Sequence, residues 1–178
     1  MDRFVSTFTN KIDAKGRVSI PAPFRAVLER DGYSQGVGGG SPAGAPSSGG
    51  IYCYPSLDAA AIDGGGERLA QKIDGLLRAL ADYSDERDEL SVALYGDVQI
   101  LNIDGDGRIV LPEGLRAHAG LTTLVTFVGL GDKFQMWEPK AFEARRQSAR
   151  EKVQEHRKLF GQGGRSANPS DDERGGSA

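Results

Sequence analysis

Two segments place a carboxylate and a guanidinium four residues apart around a glycine: Asp13-Ala14-Lys15-Gly16-Arg17 and Asp104-Gly105-Asp106-Gly107-Arg108. An aspartate that opens a tight turn can accept backbone N–H bonds, and an arginine four residues on can pair with it across the turn. That chemistry only stiffens the turn. A guanidinium held on a rigid hairpin can also fork onto a guanine edge or a phosphate, as β-ribbon readers of DNA do. The bare motif admits both roles, and Lys15 adds a second cation to the first segment only.

Other chemistry finds less support. Asp104-x-Asp-Gly opens like a calcium loop, but the twelfth position, where a bidentate Glu is needed, is Leu115. Gly36-x-Gly-Gly-Gly has no apolar strand before it and no helix after it, so it is a linker and not a dinucleotide fingerprint. His118 and His156 lie near no second ligand or nucleophile in sequence and suit surface or capping roles. Cys53, the single cysteine, has no disulfide partner and is expected to pack in the interior. Paired carboxylates, a nucleophile elbow and a phosphate loop are missing. We therefore expect no catalytic residues, metal site, cofactor or small-molecule substrate. A hydrolase with an acid pair assembled across a subunit interface would need Asp13 or Asp104, and no sequence feature asks for it.

The elements that position these residues follow from a repeat. The two motifs align without a gap at an offset of 91, which also pairs Phe24 with Leu115 and Arg25 with Arg116. Ile51-Tyr52-Cys53-Tyr54 resembles Phe134-Gln135-Met136-Trp137 at an offset of 83, which gives the first copy eight extra residues, within Ser34 to Gly50. That stretch is nearly all Gly, Ser, Pro and Ala and reads as a flexible loop. The second copy has Leu124-Val125-Thr126-Phe127-Val128-Gly129 there, a strand signal, so the first copy is expected to have lost or shortened that strand.

Each copy reads as strand, tight turn, strand, short helix, strand, strand and longer helix. Gly16 suits the turn by its tolerance of positive φ, and alternating apolar residues on both sides predict a hairpin. Pro21 and Pro23 open a short helix carrying Phe24, Val27 and Leu28, and Pro112 opens its counterpart before Leu115. Leu69, Ile73, Leu76, Leu77 and Leu80 form one apolar helical face within Glu67 to Tyr83. A second long helix, Lys140 to Phe160, has a thin stripe of Phe142, Ala149, Val153 and Phe160 amid basic residues, with Glu143, Glu151 and Glu155 available to pair with them. From Gly161 onward nothing repays the entropy of ordering, and disorder is expected.

The bulk numbers bound the function classes. With 38% hydrophobic and 26% charged residues, the composition is that of a globular protein carrying some low-complexity sequence. No run of about 18 apolar residues occurs and the N-terminus lacks a signal pattern, so a cytoplasmic location and no membrane partner are expected. A net charge of −3 opposes non-specific DNA affinity, so any such contact must come from a local patch.

The paired motifs, together with Arg3-Phe4, Asn10-Lys11-Ile12, Val128-Gly129 and Phe134-Gln135-Met136-Trp137, resemble the MraZ family of bacterial regulators from Met1 to about Phe160. The resemblance implies an α+β, β-rich fold. It would consist of two tandem SpoVT-AbrB-like swapped-hairpin modules in a small pseudo-two-fold barrel, each followed by a helix. The implied divisions are 1–62 for the first module with its insert at about 34–50, 63–91 for a connecting amphipathic helix and 92–139 for the second module. The C-terminal helix would occupy 140–160 and a disordered tail 161–178. The resemblance further implies a ring-like homo-oligomer on the nucleoid that binds promoter direct repeats in double-stranded DNA and autoregulates a cell-division and cell-wall gene cluster. By position the family's hairpin aspartate and arginine fall on Asp13 and Arg17 and on Asp104 and Arg108. We expect Arg17 and Lys15 as principal DNA contacts, Arg3 and Lys11 as supporting contacts and Arg108 as secondary, because Asp106 stands where the first copy has Lys15. Asp13, Gly16, Asp104 and Gly107 position the hairpins. The rival reading is an interaction scaffold of the same fold that binds no DNA.

Overall fold

Short β-branched and aromatic runs alternate along this chain with proline-opened helices, and the computed structural model shows how they pair. It describes residues 2–31 and 50–162, with side chains through residue 157. The expected loop over residues 34–49 and the tail beyond residue 162 lie outside the described residues. The first half runs β1 (Thr7–Lys11), β2 (Arg17–Ser19), α1 (Ala22–Arg30), β3 (Ile51–Pro55), β4 (Ile62–Gly65) and α2 (Glu67–Arg78). After α3 (Asp85–Ser91) and a π-helical turn at Val92–Gly96, the second half repeats that order. Its elements are β5 (Gln99–Leu101), β6 (Arg108–Val110), α4 (Glu113–Ala119), β7 (Leu124–Gly129), β8 (Phe134–Trp137) and α5 (Pro139–Gln162).

Among the described residues the strands form an α+β architecture of two antiparallel sheets, one of six strands in the order β1-β7-β8-β4-β3-β5 and one of two, β2-β6. The halves exchange partners reciprocally. β1 pairs with β7 and β5 with β3, while β2 pairs with β6 and β4 with β8. The sequence-predicted hairpin is thus a turn without a ladder between its own arms. Asp13 N–H donates to Arg17 O across 2.9 Å, but the flanking strands then leave for different sheets.

The pairing corrects the alignment of the repeat. Ile51 lies opposite Leu101 as Val125 lies opposite Asn10, so β3 is the counterpart of β7 and not of β8. The equivalent residues Ile51 and Val125 are 74 positions apart, 17 fewer than the 91 separating the turns. The first half has therefore kept this strand. Its additional residues precede β3, and β4 corresponds to β8. Both candidate segments were apolar and aromatic, and alternation alone does not say which of two such strands a residue belongs to.

Apolar positions from both halves meet in one core, including Val18, Ile20, Leu28, Ile51, Ile109, Leu111, Val125 and Met136. Phe24 of α1 is at its centre, with Phe4, Phe8, Phe127 and Phe134 around it at ring-centroid distances of 5.3, 5.5, 6.3 and 5.4 Å. Cys53 is buried as expected, and burial pushes its thiol up to about 12.

The connecting segment is not one helix over 63–91. Residues 63–65 belong to β4, and α2 buries Leu69, Ile73 and Leu77 but leaves Leu76 exposed. Ser84 then caps a new helix by accepting from Arg87 N–H, with Asp85, Glu86 and Asp88 in the first turn, where the helix dipole favours acids. The unit Met1–Phe142 contains the eight strands seen among the described residues. In the unit that begins at Glu143, α5 continues through Gly161 to Gln162, two residues past its expected end, and Ala149 and Val153 of the expected stripe are exposed. No helix among the described residues is long and apolar enough to cross a membrane.

Candidate nucleic-acid interface

Each turn is built around its aspartate. Asp13 Oδ1 accepts from the backbone N–H groups of Lys15 and Arg17, both at 2.9 Å, and Oδ2 accepts from Arg17 Nε at 2.6 Å. Asp104 repeats the pattern, with Asp106 N–H at 2.8 Å, Arg108 N–H at 3.0 Å and Arg108 Nε at 3.1 Å. Accepting the arginine's backbone N–H is the largest influence on each carboxyl, and the remaining turn bonds act in the same direction, so both groups are held below the ordinary aspartate range. Gly16 and Gly107 close the turns at φ of 78° and 76°, a region that side chains disfavour. The structural role open to the aspartates is therefore present, and it fixes one edge of each guanidinium.

Tertiary structure then brings the two arginines together. In the β2–β6 ladder Arg17 is opposite Val110, Val18 opposite Ile109 and Ser19 opposite Arg108. Val18 and Ile109 point into the core, so Arg17, Ser19, Arg108 and Val110 share the outer face. Arg17 and Arg108 are diagonal neighbours there, with a Cα separation of about 7–8 Å for such pairs. A two-stranded ribbon of this width fits a DNA major groove.

The two guanidiniums differ in what remains available. Arg108 donates through Nη2 to Asp106 at 3.0 Å in addition to its Nε bond, so carboxylates hold it on two sides. Among the described residues, neither Nη of Arg17 has a hydrogen-bond partner, and the side chain is 34% exposed. Lys15 and Lys11 are exposed in and just before the first turn. The ribbon face thus carries one arginine whose Nη edge is open to an anion and one held by carboxylates on two sides.

Arg3 does not join this group. It precedes Phe4, whose backbone bridges Gly131, and its charge acts on Asp132 together with Lys72 and Arg68. That is the opposite end of the β1–β7 pair from Lys11, which is opposite Leu124.

Two residues escaped functional reading. Arg116 of α4 is against Gly16, with Cζ 3.4 Å from where a Cβ on that glycine would be, and Arg25 of α1 sits so close to Gly107 that a Cβ would strike its Nη1. The signal was the repeat itself, which pairs these two arginines. A buried polar chain was also missed. Asp63 accepts from Lys133 Nζ at 2.7 Å and Gln135 Nε2 at 2.8 Å, and Trp137 Nε1 donates to Gln135 at 2.9 Å. Burial, with Asp63 beside it, pushes the Tyr54 phenol well above its usual range. Among the described residues no three His, Cys, Asp or Glu side chains converge as a metal site would require. His118 Nε2 lies 3.1 Å from the Ala59 carbonyl oxygen.

Comparison with known proteins adds a family. Residues 94–160 match the family model described as "MraZ protein, putative antitoxin-like". The chain is 51% identical over 158 residues to the transcriptional regulator MraZ of Methylocella silvestris, covering 89% of this chain and 87% of that protein. It is 48% identical over 169 residues to the protein of the same name from Xanthobacter autotrophicus, covering 95% and 97%. For that of Azorhizobium caulinodans the figures are 47% over 163 residues, covering 92% and 94%.

Proposed function

Because the chain belongs to the MraZ family of transcriptional regulators, we propose that it binds double-stranded DNA in a sequence-specific manner through the outer face of the β2–β6 ribbon. The observation that carries this reading is the placement of Arg17 and Arg108 on one exposed two-stranded face, each oriented by its own aspartate. Arg17 supplies the principal contact through its Nη atoms, to a guanine edge or a phosphate, with Lys15 and Lys11 on neighbouring phosphates. Arg108 is secondary. Arg3, at the other end of β1, supports only a phosphate approaching from that side.

The wider reading follows from the family resemblance. The two halves are tandem SpoVT-AbrB modules, a view supported by their reciprocal pairing. The chain assembles as a ring-like homo-oligomer on promoter direct repeats and autoregulates a cell-division and cell-wall cluster within the nucleoid. A ring supports this despite the net charge of −3, since several ribbons engaging several repeats gain by effective concentration and only the local face needs to be basic.

The test is fluorescence anisotropy of wild type and Arg17→Ala on DNA from upstream of the chain's own gene and on a scrambled control, across a salt series. Wild type should prefer the upstream DNA and weaken with salt, and Arg17→Ala should lose about tenfold or more, as expected for one bidentate contact. No preference by wild type would sink the reading in favour of a scaffold.

A further inference from the structure

Each arginine-bearing turn rests on a helix from the other half. Ile20 N–H donates to Gly107 O at 2.9 Å, and Leu111 N–H donates to Gly16 O at 2.9 Å. These bonds start α1 beneath the second turn and α4 beneath the first. One turn into each helix, Arg25 and Arg116 lie against Gly107 and Gly16 where no side chain blocks the approach. Arg116 Nε is buried and, among the described residues, has no hydrogen-bond partner. Leaving such a donor unsatisfied disfavours folding. The fold's own hydrogen bonding therefore does not explain why a guanidinium sits there. A positive charge behind the turn does have an effect outward, raising the potential where Lys15 and Arg17 would meet a phosphate.

Resting on the DNA-binding reading above, we infer that Arg116 and Arg25 are positioning residues acting across the halves. Arg116 braces and charges the Asp13–Arg17 turn, and Arg25 braces and charges the Asp104–Arg108 turn. Neither half then completes its own DNA-facing turn. Because Arg17 has its Nη atoms available and Arg108 is held by Asp106, Arg116 matters more for binding than Arg25.

The inference is tested on the full chain in two ways. In amide spectra of the unbound protein, Arg116→Ala should shift the signals of Lys15, Gly16 and Arg17 and spare Asp106, Gly107 and Arg108, and Arg25→Ala should do the reverse. In double-mutant cycles on the upstream DNA, Arg116→Ala should weaken binding about tenfold alone but add little to Arg17→Ala, while combining additively with Arg108→Ala. General loosening of the fold would couple Arg116 to both arginines and shift both turns, and that result overturns the inference. So does an unshifted first turn. Wild type without DNA preference would overturn the DNA reading, while the spectra would still decide the bracing.

Discussion

Arg108 and Asp106, two residues apart in one turn, are bonded Nη2 to Oδ2 at 3.0 Å, which ties up the edge of the guanidinium that its homologue Arg17 leaves open. The second turn has an acid where the first has Lys15, and that acid leaves the turn with two carboxylates against one guanidinium. Asp106→Lys should release Arg108 and add a charge. We expect several-fold tighter DNA binding, with a log-log salt slope steeper by about 0.9 for each further phosphate neutralised. Anisotropy across salt would show this, and unchanged affinity and slope would mean the second turn does not face DNA.

Asp13 and Asp104 titrate below the ordinary aspartate value of 3.8, first because each accepts the backbone N–H of its arginine. A carboxyl depressed in the folded state stabilises fully above its unfolded value and loses that contribution as pH falls through the folded one. Both turns should therefore stay intact down to about pH 4 and loosen below it. Carboxyl carbon shifts, read with the Arg17 and Arg108 amides, should give midpoints below 3.8 for both residues. In Asp13→Asn the Arg17 amide should lose this acid transition.

The turn glycines should rank by what surrounds them. Gly16 and Gly107 both hold positive φ, so alanine at either should cost about 1–3 kcal/mol. At Gly107 a new Cβ asks only the far end of the flexible Arg25 side chain to swing aside, while at Gly16 the nearest atom is the Leu111 backbone oxygen, 3.3 Å away, so Gly16→Ala should cost at least as much. Gly105, where a Cβ meets nothing within 4 Å, is the control and should change stability little. Urea melts of the three variants would settle the order.

Asp63 lies at the centre of the long sheet, opposite Gln135 in the β4–β8 pair, and is 3% exposed. Asp63→Leu would strand Gln135 and Lys133 without their acceptor, and we expect a loss of about 2–4 kcal/mol. Asp63→Asn should cost less, since its carbonyl still accepts one of the two bonds. Equal melts for Leu and wild type would show that this polar chain contributes no net stability.

Much of the fold was legible because its signals are local. Pro21 and Pro112 mark the starts of α1 and α4, Leu69, Ile73 and Leu77 mark the buried face of α2, and the two turns repeat residue for residue. The break at Ser84 was also written locally, as a cap followed by acids, but the apolar spacing on either side masked it.

The sequence by itself determined the turns, since Asp13 and Asp104 reach only four residues forward and Gly16 and Gly107 answer a backbone demand at their own position. It could not determine partners. Whether β1 pairs with β2 or β7, and whether Ile51 or Ile62 begins the counterpart of β8, depends on which distant strand closes the core, and alternation reads the same for each. Placing Arg17 beside Arg108, Arg3 far from both, and Arg116 beneath Gly16 was therefore left to tertiary structure. Those contacts join residues about 90 or more positions apart, and only packing around a shared core brings such residues together.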